Sequence, residues 1–288
     1  MPELPEVETV RRGLAPVLEG QRLARLELRR PDLRFPLPEG FVQRLTGALV
    51  GKVERRAKYL RIALDNGDTL VSHLGMSGRF EIRPLGEGGS RPGQFHYPAT
   101  QAPKHEHVVL TTEAGTRIAY FDPRRFGYMD LIPTDALELH PWFAGLGPEP
   151  LSDGFDDKVL LAAFTRKARQ TLKVTLLDQR VVAGIGNIYA CEALFAAGID
   201  PRRPGGEITP AQAKRLAKAV QSVLTEAIEA GGSTLRDFAA TDGTLGYFQH
   251  RFKVYDREGQ PCATGCGGGV RRLVQAGRST FFCPACQT

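Results

Sequence analysis

Several things are scarce in this 288-residue chain, and each scarcity excludes something. There is one Trp, three Met and only five Cys. Four of the cysteines fall in the last 27 residues, so Cys191 is the only one elsewhere. A disulfide-dense scaffold is therefore excluded, and a chain this long can bury a core without such staples. No uninterrupted apolar run opens the chain. Glu3, Glu6, Glu8, Arg11 and Arg12 interrupt it, which argues against a secretory leader and for a reduced, cytoplasmic setting. Residues 181–199 are long enough to cross a bilayer. Gly184, Gly186, Asn187 and Glu192 break that stretch, and its apolar residues suit two packed helices of a soluble protein. With 42% hydrophobic and 24% charged residues, the chain is neither disordered nor collagenous. Lysine is scarce too: only nine of the 38 cations are Lys. Arg is favoured where a planar, bidentate grip on phosphate matters, although a GC-rich genome also enriches it. The net charge of +6 makes an anionic partner worth considering.

Residues 1–20 have apolar positions Val7, Val10, Leu14, Val17 and Leu18 at helical spacing, with Pro16 as a candidate end. From about 22 to 132 the pattern turns to strands. RLARLELRR alternates, KYLRIAL and DTLVSHL flank Asn66–Gly67 as a hairpin would, and HVVLTTEAGTRIAYF reads as a second hairpin. Residues 84–103 are rich in Gly and Pro and read as a long, mobile loop. Residues 1–130 carry +4, residues 131–160 carry −5 and residues 161–288 carry +7. The acidic, proline-bearing middle reads as a linker between two basic domains. Beyond it the pattern is helical, with Thr209–Pro210 as a start and Gly231–Gly232 as a stop.

Chemistry concentrates at the two ends. Cys262-x3-Cys266-x16-Cys283-x2-Cys286 brackets an alternating segment that turns near Gly277. Two close cysteine pairs across a hairpin can enclose one tetrahedral zinc, with no open position for catalysis. Disulfides or unligated thiols are the other readings. At the N-terminus, loss of Met1 would leave Pro2 with a free secondary amine. An α-amino group titrates near 8 against about 10.4 for Lys. It is therefore the better nucleophile near neutrality and can attack a sugar C1′ to form an iminium. Glu3 and Glu6 could move protons beside it. The plainer alternative is that Pro2 and the glutamates only start a helix.

MPELPEVETVRRGL resembles the opening of formamidopyrimidine-DNA glycosylases. The likeness continues through RRAKYL (55–60), HLGMSGRF (73–80), DPRRFG (122–127), LGPEPLSDGF (146–155), GIGNIYACEALF (184–195) and the terminal cysteine hairpin. These blocks keep the family's order over nearly the whole chain. The resemblance implies an α+β protein: an N-terminal antiparallel β-sandwich flanked by helices, then a helical domain with a helix–two-turn–helix and a β-hairpin zinc finger. The expected boundaries are 1–132 for the catalytic sandwich, 133–160 for the linker, 161–250 for the helix–two-turn–helix domain and 251–288 for the zinc hairpin. It further implies a monomer acting in base excision repair on damaged double-stranded DNA, holding one structural Zn2+.

Roles carry over by position. Pro2 is the expected nucleophile and Glu3 the acid assisting base loss. Lys58 and Arg278 are expected at phosphate and in the elimination steps. His73, Lys173 and Asn187 are expected near the backbone. Met76, Arg124 and Phe126 are expected to fill the space left by a flipped base, and His105 and Lys167 or Arg169 to make further contacts. Residues 231–248 resemble the family's flexible loop over that base. Ordinary roles remain available: core packing for Met76 and Phe126, a helix N-cap for Asn187, solvated positions for Lys58 and Arg278, and a buried structural thiol for Cys191. Three departures stand out: the x3 cysteine spacing where the family usually has x2, the long 84–103 loop, and a local divergence over 172–180. The sister endonuclease VIII type and a non-catalytic DNA-binding zinc protein are the rival readings.

Overall fold

The structure is a computed structural model; it describes residues 1–83, 103–233 and 246–288. The described chain divides into two compact units, residues 1–144 with 230–247, and residues 145–229 with 248–288.

The first unit opens with helix α1 (Leu4–Leu18), whose buried face of Val7, Val10, Leu14 and Leu18 is the one its periodicity predicts. Pro16 does not end the helix, which runs two residues further. The N–H that proline lacks would have bonded the Arg12 carbonyl, and the burial of Leu18 offsets that lost bond. Strand β1 (Leu23–Leu28) and the short helix α2 (Phe41–Leu45) follow. Then come β2 (Val50–Arg56), β3 (Tyr59–Leu64), β4 (Asp68–His73), β5 (Arg79–Arg83), β6 (Glu106–Thr112), β7 (Arg117–Phe121) and β8 (Tyr128–Pro133). The expected hairpins are present, with Gly67 at φ +87° between β3 and β4. Two four-stranded antiparallel sheets result, ordered β1-β6-β7-β5 and β2-β3-β4-β8. Leu26, Val108, Leu110 and Ile118 of one sheet share a core with Val53, Ile62, Leu70 and Leu131 of the other and with α1. The unit is thus a β-sandwich with a helix closing one side.

Residues 133–160, expected as a linker, are divided between the units and carry buried side chains, Leu137 and Phe143 in the first and Phe155 in the second. Their apolar residues gain more from burial than from solvation, whatever the charge of their neighbours. The second unit holds α3 (Asp157–Arg166), α4 (Leu172–Leu176), α5 (Asn187–Ala196) and α6 (Pro210–Glu229). Thr209 and Gln212 form a reciprocal cap at the start of α6. The 181–199 stretch makes one helix rather than two, because 181–186 is a buried turn segment feeding α5. Helix α5 is buried on every side over Ile188–Phe195, which explains its bilayer-like composition. Among the described residues no helix is long and apolar enough to cross a membrane. The unit ends in the hairpin β9 (Arg271–Gln275) and β10 (Arg278–Phe282), closed by Ala276 and Gly277 at φ +47° and +74°. Two positive φ values in a two-residue turn match the twist of the flanking strands.

Candidate active site and nucleic-acid interface

In the first unit, Pro2 is buried just ahead of α1. What fixes it is the backbone behind it. The Glu3 N–H donates to Glu6 Oε2 at 2.8 Å, and the Val7 N–H donates to the Glu3 carbonyl at 3.1 Å. Glu6 is itself buried, and its other oxygen accepts from the Ser233 N–H (2.8 Å) and hydroxyl (3.0 Å). One carboxylate therefore joins the first helical turn to residue 233, at the edge of 234–245, which lies outside the described residues. The two ends of that segment meet: Ser233 bridges Tyr247, and a side chain at Gly246 would overlap the Gly232 carbonyl. The expected flexible loop 231–248 is thus seen only at its ends, and most of the expected 84–103 loop is likewise outside the described residues. Glu6 was legible as a candidate proton carrier or as part of a helix start; its bonds display the second role, a reciprocal cap with Glu3 that the structure reveals.

Lys58 is buried, 6% exposed, in the two-residue turn between β2 and β3. Ala57, which precedes it, sits at φ +53°. Arg55 steadies that turn by donating to the Ala57 carbonyl (3.1 Å) while pairing with Glu8 of α1 (3.3 Å). His73 ends β4. Its ring stacks on Tyr128 (4.8 Å, 7° between planes) and meets Tyr59 edge-on at 5.0 Å. Tyr59 and Tyr128 share a hydroxyl hydrogen bond of 3.0 Å, and Trp142 packs on both. The Gly75 N–H donates to His73 Nδ1 at 3.0 Å, so the neutral ring carries its proton on Nε2. Burial first, then the Lys58 and Arg34 charges, push the His73 pKa down to about 4. This ring is a neutral donor at physiological pH. The aromatic box was not legible, since Tyr59, Tyr128 and Trp142 are far apart in the chain.

Met76, Arg124 and Phe126 lie on two loops of this unit. Met76 is half-buried, Arg124 is exposed with its guanidinium 5.0 Å from the Phe126 ring centre, and Phe126 is 43% exposed. Ordinary core packing thus does not describe Phe126. Leu33, Arg34, Arg124, Arg125 and Phe126 line an open cavity of about 420 Å³. His105 is half-buried in a short 3₁₀ turn, Pro103–His105, ahead of β6.

In the second unit, Lys173 is not on the surface. It is completely buried, and its ammonium donates to the Ser279 carbonyl (2.9 Å) and Thr280 Oγ1 (2.8 Å). A buried ammonium must be satisfied internally, so here it supports the hairpin. Asn187 donates from Nδ2 to the same Ser279 carbonyl at 2.9 Å. It is the first residue of α5, the N-cap being Gly186. Both residues therefore converge beside the exposed Arg278 at the start of β10. Lys167 pairs with Asp178, which Arg180 and then Lys167 hold well below the usual carboxylate range. Arg169 is exposed.

The four cysteine Sγ atoms lie within 4.8 Å of one another, with Cys262–Cys286 at 3.5 Å and Cys266–Cys283 at 3.7 Å. A tetrahedral zinc with bonds near 2.3 Å needs sulfur atoms about 3.8 Å apart, so the donor set fits one such ion. Gly265, within the x3 spacing, lies in the left-handed region at φ +71°, a turn conformation glycine adopts at little cost. Cys191 is buried in the apolar cluster beneath the hairpin, with Val254, Val270 and Phe281.

Three family models match: the formamidopyrimidine-DNA glycosylase N-terminal domain over residues 1–129, the formamidopyrimidine-DNA glycosylase H2TH domain over 146–239, and a zinc finger found in FPG and IleRS over 259–288. A formamidopyrimidine-DNA glycosylase of Phenylobacterium zucineum is 67% identical over the full length of both chains, and one of Caulobacter vibrioides 62%. Among solved structures, the MutM (Fpg) protein of Thermus thermophilus has a TM-score of 0.83 at 42% identity, covering 99% of this chain and 98% of that one. A Lactococcus lactis Fpg complexed with DNA containing an abasic site has 0.86 at 33%, covering 99% of each.

Proposed function

The chain belongs to the formamidopyrimidine-DNA glycosylase family, DNA N-glycosylases with AP lyase activity, and from that premise we propose that it excises oxidised purines through its N-terminal proline. The substrate class is duplex DNA carrying 8-oxoguanine or a formamidopyrimidine. Such a base must leave the stack to be reached. With Met1 removed, the Pro2 nitrogen attacks C1′ and the glycosidic bond breaks, its electron pair leaving on the base. Glu3 protonates the sugar-ring oxygen as the ring opens to an iminium. Removal of a C2′ proton expels the 3′ phosphate, and a second elimination expels the 5′ phosphate. Lys58 and Arg278 neutralise the phosphate charge that develops in these steps. His73 donates a neutral hydrogen bond to the backbone. Met76, Arg124 and Phe126 fill the space vacated in the stack. Four thiolates holding zinc supply the folding energy of the hairpin that carries Arg278.

The observation that carries this reading is the mooring of the first helical turn: Pro2 is buried, and Glu6 ties the adjacent amide to residue 233. A nucleophile on a frayed terminus would lose the orientation on which the attack depends. The test is borohydride trapping of the Met-processed protein on a duplex with 8-oxoguanine opposite cytosine, with thymine glycol in parallel. An adduct mapped to Pro2 on the oxoguanine duplex is expected. An adduct on thymine glycol alone, or none, overturns the reading.

A further inference from the structure

Two loops of the first unit cross between its sheets side by side. Residues 74–78 lead from β4 in one sheet to β5 in the other, and residues 122–127 lead from β7 back to β8. The strand ends they leave are paired: His73 faces Tyr128, and Arg79 faces Phe121. Topology alone therefore makes the loops neighbours. The first carries Met76; the second carries Arg124 and Phe126.

Their contact is specific. The Ser77 hydroxyl donates to Asp122 Oδ1 at 2.5 Å and accepts from the Arg124 N–H at 3.1 Å. Asp122 Oδ2 accepts from the Gly127 N–H at 2.7 Å, and the Asp122 carbonyl meets His107 Nε2 at 2.9 Å. Asp122 has no exposed surface and Ser77 only 3%. Side chains at Gly75 and Gly127 would overlap, respectively, the Phe126–Gly127 backbone and the Tyr120 hydroxyl, so glycine is needed for the approach. A buried carboxylate is costly unless its lone pairs are filled. Here each oxygen accepts from one donor, the Ser77 hydroxyl of one loop and the Gly127 amide of the other.

We propose that Ser77 and Asp122 are positioning residues that join the two loops into one rigid wedge, so that Met76, Arg124 and Phe126 enter the duplex together. The proposal rests on the reading that these three side chains enter the stack, and it assigns the coupling to two residues that touch no DNA. Without the coupling, each loop would have to be ordered separately during insertion, which slows flipping but not the chemistry at an already open site.

The test compares two rates in the full-length, Met-processed, zinc-loaded protein. One is excision of 8-oxoguanine from a duplex. The other is nicking of a single strand with a preformed abasic site, which has no base to flip and no opposite strand to fill. Ser77→Ala removes the bridge, and the ratio of duplex to abasic rate should fall roughly tenfold, the scale of one buried hydrogen bond. A fall of less than fivefold overturns the proposal, whatever happens to either rate alone. Should Ser77→Ala not fold, Asp122→Asn, which keeps the volume but turns one acceptor into a donor, is read by the same ratio and limit. Fluorescence of 2-aminopurine opposite the lesion reports insertion independently of chemistry and separates the failures. If Phe126→Ala leaves that signal unchanged, the wedge reading is at fault. If Phe126→Ala removes it and Ser77→Ala does not slow its rise, the coupling is at fault.

Discussion

His73 illustrates how environment rather than residue type sets behaviour. Its pKa lies at about 4, below the usual 6.5, because burial, Lys58 and Arg34 all disfavour the cation. Between those values the unfolded chain holds a proton that the folded chain does not, so this residue removes stability as pH falls through that window. Its imidazole resonances should therefore stay constant from about pH 5 to 8, where an ordinary histidine titrates. A titration near 6.5 would show the aromatic box to be loose. Glu6 makes a second prediction at this scale. Both of its oxygens accept from donors, so Glu6→Gln must present an amide N–H₂ to one of them. Nicking should fall about tenfold, the scale of one lost charged acceptor, with the trapped adduct reduced in parallel. Unchanged trapping would mean that the Pro2 backbone is held by other means.

The zinc hairpin makes a different kind of claim, because an element this small cannot hold itself. Chelation should unfold residues 259–288 and abolish nicking while leaving the amide signals of the β-sandwich in place; loss of the sandwich signals would contradict an independent first core. Lys173 belongs to the same element. Lys173→Met keeps the volume but leaves the Ser279 carbonyl with Asn187 and Thr280 Oγ1 without its ammonium donor. A destabilisation of about 1–3 kcal/mol is expected in denaturant unfolding of the hairpin. Nicking should also weaken, because the adjacent Arg278 would no longer be held. The resemblance placed Lys173 near the DNA backbone, and no local signal in the chain shows that its side chain points inward. The hairpin itself was legible to the turn, because cysteine pairs, alternation and Ala276–Gly277 are all local signals.

Across the whole molecule, charge and neutrality combine into one measurable slope. DNA affinity should fall with salt by about 0.9 in logarithmic slope for each phosphate neutralised by a cation. Lys58→Gln and Arg278→Gln should each reduce that slope by roughly one, whereas His73→Gln should weaken binding with the slope unchanged, its ring being a neutral donor. An equal change in slope for His73 would mean that the ring is charged on DNA. The strands with their hairpins, the long helix and the cysteine hairpin were determined by the sequence, because periodicity, turn residues and close spacing act over a few neighbouring positions; the sandwich itself was expected only from the family resemblance. What those local rules could not reach was decided by the tertiary structure. It seated Lys173 inside, drew residues 133–160 into two cores, boxed His73 in rings, tied Glu6 to a residue 227 positions away, and laid the Met76 loop against Asp122. Each of these depends on which sheet a strand joins and which crossing lies beside which. Partners chosen in that way are set by the closing of the whole core, and they leave no periodic trace in the chain.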